Sequence, residues 1–133
     1  MKLVQLARLA EFPHVAVLGN YESLSNADRW LAVLRRDGIR AIENDVAELL
    51  LPRGLVCVRG LGDSYSERFR YVEFPDRCAD ALKITATHDP AGVFDDRVRG
   101  LAFAAHTHCG QISLPLIGPL WVPSDAPQAA YCG

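Results

Sequence analysis

The sequence predicts a single α/β domain, on three observations. Segments of helical spacing alternate with short apolar, β-branched runs. The length of 133 residues suits one domain and not two. Half of the residues are hydrophobic and 23% are charged, the balance of a chain that buries a core.

The elements follow in order. Leu3, Leu6, Leu9 and Ala10 recur at near-helical spacing, which predicts a helix over 2–11, stopped by Pro13. His14 to Leu18 reads as a buried strand ending at the turn signal Gly19-Asn20. Asn26 caps a helix through about Asp37, with Trp30, Leu31 and Leu34 on one face and Gly38 as its stop. Arg40–Ile42, Val46–Leu51 and Leu55–Arg59 read as a meander or hairpin with Pro52-Arg53-Gly54 as a turn. Residues 62–70 form a polar loop, and a short helix is expected near Pro75 to Leu82. Ile84–His88 and Leu101–His106 are further strands, and Ile112–Val122 holds two short ones around Pro115 and Gly118-Pro119.

Composition narrows the function. A net charge of −2 excludes a strongly basic nucleic-acid binder or a polybasic anchor by bulk charge, so no nucleic-acid partner is expected. The opening residues lack the apolar core of a signal peptide. The longest apolar run, Ile112 to Pro123, holds three prolines and a glycine and cannot be a transmembrane helix. Cys57, Cys78, Cys109 and Cys132 form no C-x-x-C pair, and they are expected to be reduced in a cytoplasmic compartment.

Three predicted strands end in polar residues able to bind metal: Asn20, His88, and the His106-Thr107-His108 segment. In α/β sheets, sites gather at the carboxyl ends of strands. An extended segment would place His106 and His108 on one face, where two imidazoles can reach one ion or two adjacent ions. Each member alone reads first as an ordinary turn, loop or strand-end residue; the case rests on their joint occurrence. His14 has no such company and is read as structural.

The joint pattern Val17-Leu18-Gly19-Asn20-Tyr21-Glu22, Thr87-His88-Asp89-Pro90 and Ala105-His106-Thr107-His108-Cys109-Gly110-Gln111-Ile112-Ser113-Leu114-Pro115 resembles the calcineurin-like metallophosphoesterases. It is closest to the bacterial branch whose last motif reads G-H-T-H-[GC]-G-Q-x-x-L-P. The resemblance runs from about Leu6 to the end of the chain. It implies an α/β/β/α sandwich and hydrolysis of a phosphomonoester or phosphodiester by two divalent ions of the Zn, Mn or Fe class. It implies Asn20, His88 and His106 as ligands of the second metal and His108 as a ligand of the first.

The chain departs from this pattern. The D-x-H and G-D motifs that supply the remaining ligands do not precede Gly19-Asn20, so the sequence reads as the C-terminal portion of such a domain, missing its first strands. Gly62-Asp63 is a G-D pair in a later position, matching a later loop and not the bridging carboxylate. Tyr21 stands where the family has a histidine that contacts phosphate; a phenol ordinarily titrates at about 10 and is a poor acid near neutrality. At most one ion is expected in this chain, with zinc favoured by a neutral donor set. Weak or absent activity follows, and the alternative is a non-catalytic remnant or binding module. An uncovered apolar face implies self-association or a missing N-terminal portion as partner. Arg68 and Arg70 are candidates for phosphate contact, behind a reading as solvated surface residues. Leu114 to Val122 is a candidate for peripheral membrane contact, behind a reading as closing strands in the core.

Overall fold

A computed structural model describes residues 13–110 and 113–130, so the helix expected over 2–11 lies outside the described residues. The described chain is mixed α/β: one α-helix, a two-stranded parallel sheet, a four-stranded mixed sheet and a small antiparallel hairpin.

Strand β1 (Val15–Ala16) leads into helix α1 (Asn20–Arg36), and β2 (Arg40–Ala41) returns parallel to β1. The helix breaks at Asn26, whose φ of −168° and ψ of 84° are extended. There the Asn26 side chain accepts from the Arg29 amide at 3.0 Å, so it caps the second segment as expected. The turns before it, from Asn20 to Ser25, lack an apolar stripe and are not predicted by periodicity. Gly38, at φ +83°, ends the helix.

Strands β3 (Asp45–Leu51) and β4 (Gly54–Gly60) form the predicted hairpin, and β5 (Leu82–Ala86) and β6 (Leu101–Phe103) extend it in parallel, in the order β3-β4-β5-β6. The register aligns Ala47, Val58, Ile84 and Leu101 across one face. Val15, Val17 and Ile42 pack against this face with Ala47, Leu49 and Val58. Leu18, Ala27, Leu31 and Ala41, with Trp30 and Leu34, join α1 to the other side of β1–β2. The small sheet is therefore a middle layer. It does not reach the β5–β6 end, where Leu82, Leu101 and Phe103 stay 57%, 49% and 59% exposed.

The opposite face of the large sheet is polar and carries the segment after the loop. Arg59 is buried; its guanidinium donates to Thr85 Oγ1 (2.9 and 3.2 Å) and to the Val72 carbonyl (3.0 Å). It also lies over the Tyr71 and Phe74 rings. The helix expected near Pro75 to Leu82 is a single 3₁₀ turn, Asp76–Cys78. A second 3₁₀ turn, Pro90–Phe94, was not expected; Asp89 caps it and Pro90 opens it.

Two expectations are corrected here. Cys57 and Cys78 are joined by a disulfide. β4 turns Cys57 toward the face that the Asp76–Cys78 turn covers, and the Cα atoms lie 6.1 Å apart. A separation of 21 residues carries no pairing signal, and the cysteine argument for a cytoplasmic compartment falls away. No helix among the described residues is long and apolar enough to cross a membrane. Leu114 to Trp121 is not core: β7 (Ser113–Leu114) and β8 (Gly118–Pro119) form an outlying hairpin. Leu116 and Ile117 are exposed at its turn, and Leu120 and Trp121 are exposed just beyond it.

Closing a loop of this length constrains the unfolded chain by roughly 3 kcal/mol. Reduction, or Cys57→Ser with Cys78→Ser, should lower the urea unfolding free energy by about that amount. Alkylation of the unfolded, non-reduced chain should leave both residues unmodified.

Candidate metal centre

Strands β4, β5 and β6 run parallel and end on one edge. Pairing continues past their ends: the Leu61 amide donates to the Ala86 carbonyl (2.9 Å), Thr87 to Phe103 (3.0 Å) and Ala105 to His88 (2.9 Å). The segments bearing Asp63, His88 and His106 therefore leave the sheet side by side. Asn20 arrives from the end of β1 as the first residue of α1.

Three of the four predicted ligand positions meet. His88 Nε2 lies 3.0 Å from Asn20 Oδ1 and 3.1 Å from His106 Nδ1. His106 Nε2 donates to the Pro123 carbonyl at 2.5 Å, which leaves Nδ1 with a lone pair facing His88. His88 Nε2–H is then shared between Asn20 and His106. Burial pushes His88 below the usual histidine range, against the pull of the Asp63 charge and together with the push from His106. A neutral ring is the ligand form.

His108 stands in a backbone setting different from the expected one. The segment is a left-handed turn, not the expected extended one, with φ +64° at His106, +48° at His108 and +57° at Cys109. Alternation of side chains does not apply there. Left-handed geometry costs roughly 1–2 kcal/mol per non-glycine residue, and it aims His106 inward. His108 lines the same pocket of about 280 Å³, with Tyr21 and Trp121 on the wall. Tyr21 is 81% exposed.

Supports behind the three residues were not anticipated. Buried Asp89 accepts from the Ala91 amide (3.0 Å) and the Ser124 hydroxyl (2.5 Å). That bond holds the segment that presents the Pro123 carbonyl to His106. The loop after β4 is drawn in by Asn44, which accepts from the Gly62 and Arg70 amides (2.8 and 2.9 Å) and donates to the Arg68 carbonyl (2.9 Å). Tyr65 on this loop places its ring 5.1 Å from that of His106. Arg68 donates to Glu43 through Nε and Nη2, at 2.7 and 2.5 Å, so it is a structural clamp and not a solvated arginine.

Two imidazoles and an amide oxygen are donor types that suit one divalent ion once His88 carries its proton on Nδ1, and two of the three pair distances can be compared with a zinc site. Ligands held roughly 2.0–2.1 Å from zinc stand about 3.0–3.4 Å from one another, and His88 Nε2 meets both neighbours in that range. The His106–Pro123 bond fixes one tautomer of His106, as outer supports do behind ligating imidazoles. Among the described residues no three His, Cys, Asp or Glu side chains close on one point; the cluster is two imidazoles and an amide. Comparison of the chain with protein-family models, curated proteins and solved structures gave no match.

A Cβ on Gly62 would stand 2.3 Å from the Arg68 carbonyl oxygen, a backbone atom. Gly62→Ala should therefore destabilise the chain by about 1–3 kcal/mol, read by denaturant titration, as the loop behind His106 is forced outward.

Proposed function

We propose that this chain carries the later ligand motifs of a calcineurin-like metallophosphoesterase domain and holds one divalent ion, zinc by preference, on Asn20, His88 and His106. The observation that supports this reading is the direct contact of three side chains drawn from positions 20, 88 and 106. The helix lying on a small parallel sheet that lies on a larger sheet supports a sandwich of the expected kind.

Bound there, the ion would polarise a phosphoryl oxygen and activate water. The chain's own residues do the rest. Asn20 contributes an uncharged oxygen, and Pro123 holds His106 in one tautomer. The exposed Tyr21 stands on the pocket wall, where its hydroxyl can donate to a phosphate oxygen. The three neutral donors make one ion position, which supports binding ahead of turnover.

Calorimetric titration of the wild-type chain should show one zinc site, absent from the His88→Ala/His106→Ala variant. Mn²⁺-dependent hydrolysis of an aryl phosphate should be weak or undetectable. Robust turnover lost in His106→Ala would overturn the binding-module reading, and equal zinc uptake by both chains would overturn the centre itself. Self-association through Leu82, Leu101 and Phe103 is part of the same proposal. Sedimentation velocity should show assembly in the wild type, and the monomer for Leu101→Lys/Phe103→Lys.

A further inference from the structure

We propose that Asp63 is the anionic member of the candidate centre, an outer carboxylate that makes uptake of a divalent ion by Asn20, His88 and His106 tight. This rests on the metal reading above and extends it to a residue which that reading leaves out.

Placement comes first. The β4–β5 ladder pairs Gly60 with Ala86, and the Leu61 amide still donates to the Ala86 carbonyl. Gly62-Asp63 therefore leaves the sheet beside Thr87-His88. Asp63 is fully buried. Its Oδ2 accepts from the Ser66 amide (2.9 Å) and the Ser66 hydroxyl (2.6 Å). Its Oδ1 is buried with no hydrogen-bond partner among the described residues.

A buried oxygen left bare costs about 1–3 kcal/mol, more when charged. Among the described residues no Lys, Arg or His forms an ion pair with Asp63, and the nearby loop cation, Arg68, is clamped by Glu43. A capping role for the Asp63–Ser66 turn explains Oδ2 alone. The remaining oxygen has no partner among the described residues to account for its burial. The three ligand atoms are neutral, so a divalent ion among them needs counter-charge from buried carboxylates; of the two that follow β4 and β5, Asp89 is engaged by Ala91 and Ser124, and Asp63 keeps the bare oxygen. Asp63 lies outside the direct ligand set; its place is one hydrogen bond out, accepting from a water on the ion, as carboxylates do behind metal sites.

Two variants separate charge from capping. Asp63→Asn keeps an acceptor for Ser66 and removes the charge; Ser66→Ala keeps the charge and removes a hydrogen bond. Zinc calorimetry on the full chain should show Asp63→Asn weakened by roughly 10- to 100-fold, with an unchanged circular-dichroism spectrum. Ser66→Ala should stay within about threefold of wild type, although its melting temperature falls. Equal affinity in Asp63→Asn and wild type would overturn the role of Asp63 and leave the centre standing. A wild-type chain that takes up no zinc, or takes it up equally without His88 and His106, would overturn both. Should Asp63→Asn not fold, a crystal structure of the zinc-loaded wild type decides. The expected result is Asp63 Oδ1 hydrogen-bonded to a water on the ion; Oδ1 bonded only to protein groups would refute the assignment.

Discussion

The parallel pairing of β4, β5 and β6 is the constraint on which the candidate centre depends. Parallel strands end on the same edge, and here the hydrogen-bonded ladder runs on past the last strand residues, through Leu61, Thr87 and Ala105. Whatever follows each strand is delivered to the same edge of the sheet: Asp63, His88 and His106. An antiparallel strand in the position of β5 would send His88 to the opposite end of the sheet. β1–β2 adds Asn20 from the layer above, because Val15, Val17 and Ile42 seat that small sheet on the apolar face of the large one. Convergence of Asn20, His88 and His106 is thus a property of strand direction and layer packing, before any side chain acts.

Side-chain chemistry then orders the cluster. The Pro123 carbonyl selects the tautomer of His106, and Pro123 is held through Ser124 and buried Asp89. Asp89 also caps the turn that begins at Pro90, so one carboxylate fixes the backbone after β5 and the distant segment that supports the end of β6. The left-handed backbone at His106 and His108 is unfavourable by itself. Contacts from Pro123, Tyr65 and His88 hold it in place.

Much of this was legible in the sequence, for identifiable reasons. The hairpin of β3 and β4 follows from apolar runs flanking Pro52-Arg53-Gly54, and Asn26 announces its cap. Asn20, His88 and His106 stood out because each follows a strand. The turns from Asn20 to Ser25 were missed because a helix beginning at a site spends its first residues on the site and shows no apolar stripe. The Cys57–Cys78 bond was missed because partners are set by which face of β4 the later turn covers, which spacing does not encode. The turn through His106 and His108 is not legible because alternation assumes extended backbone, and a histidine at positive φ has no sequence signature. Asp63 was seen as a motif fragment, but its burial and its bare oxygen are properties of the folded loop alone.

The two faces of the large sheet differ in how completely they are held, and this bears on the centre. The polar face is fastened by the buried Arg59, which ties Thr85 of β5 to Val72 of the covering segment, and by the disulfide from β4 to the turn at Cys78. These ties act on β4 and β5, the strands that aim Asp63 and His88. β6, which aims His106, is a three-residue edge strand with Leu101 and Phe103 open to solvent on the apolar face. The His106 arm of the cluster therefore depends on the contact with Pro123, and through it on Asp89, rather than on the sheet. The member of the cluster with the weakest sheet support is the one with the most elaborate outer support. The Asp89–Ser124 bond ties that support back to β5.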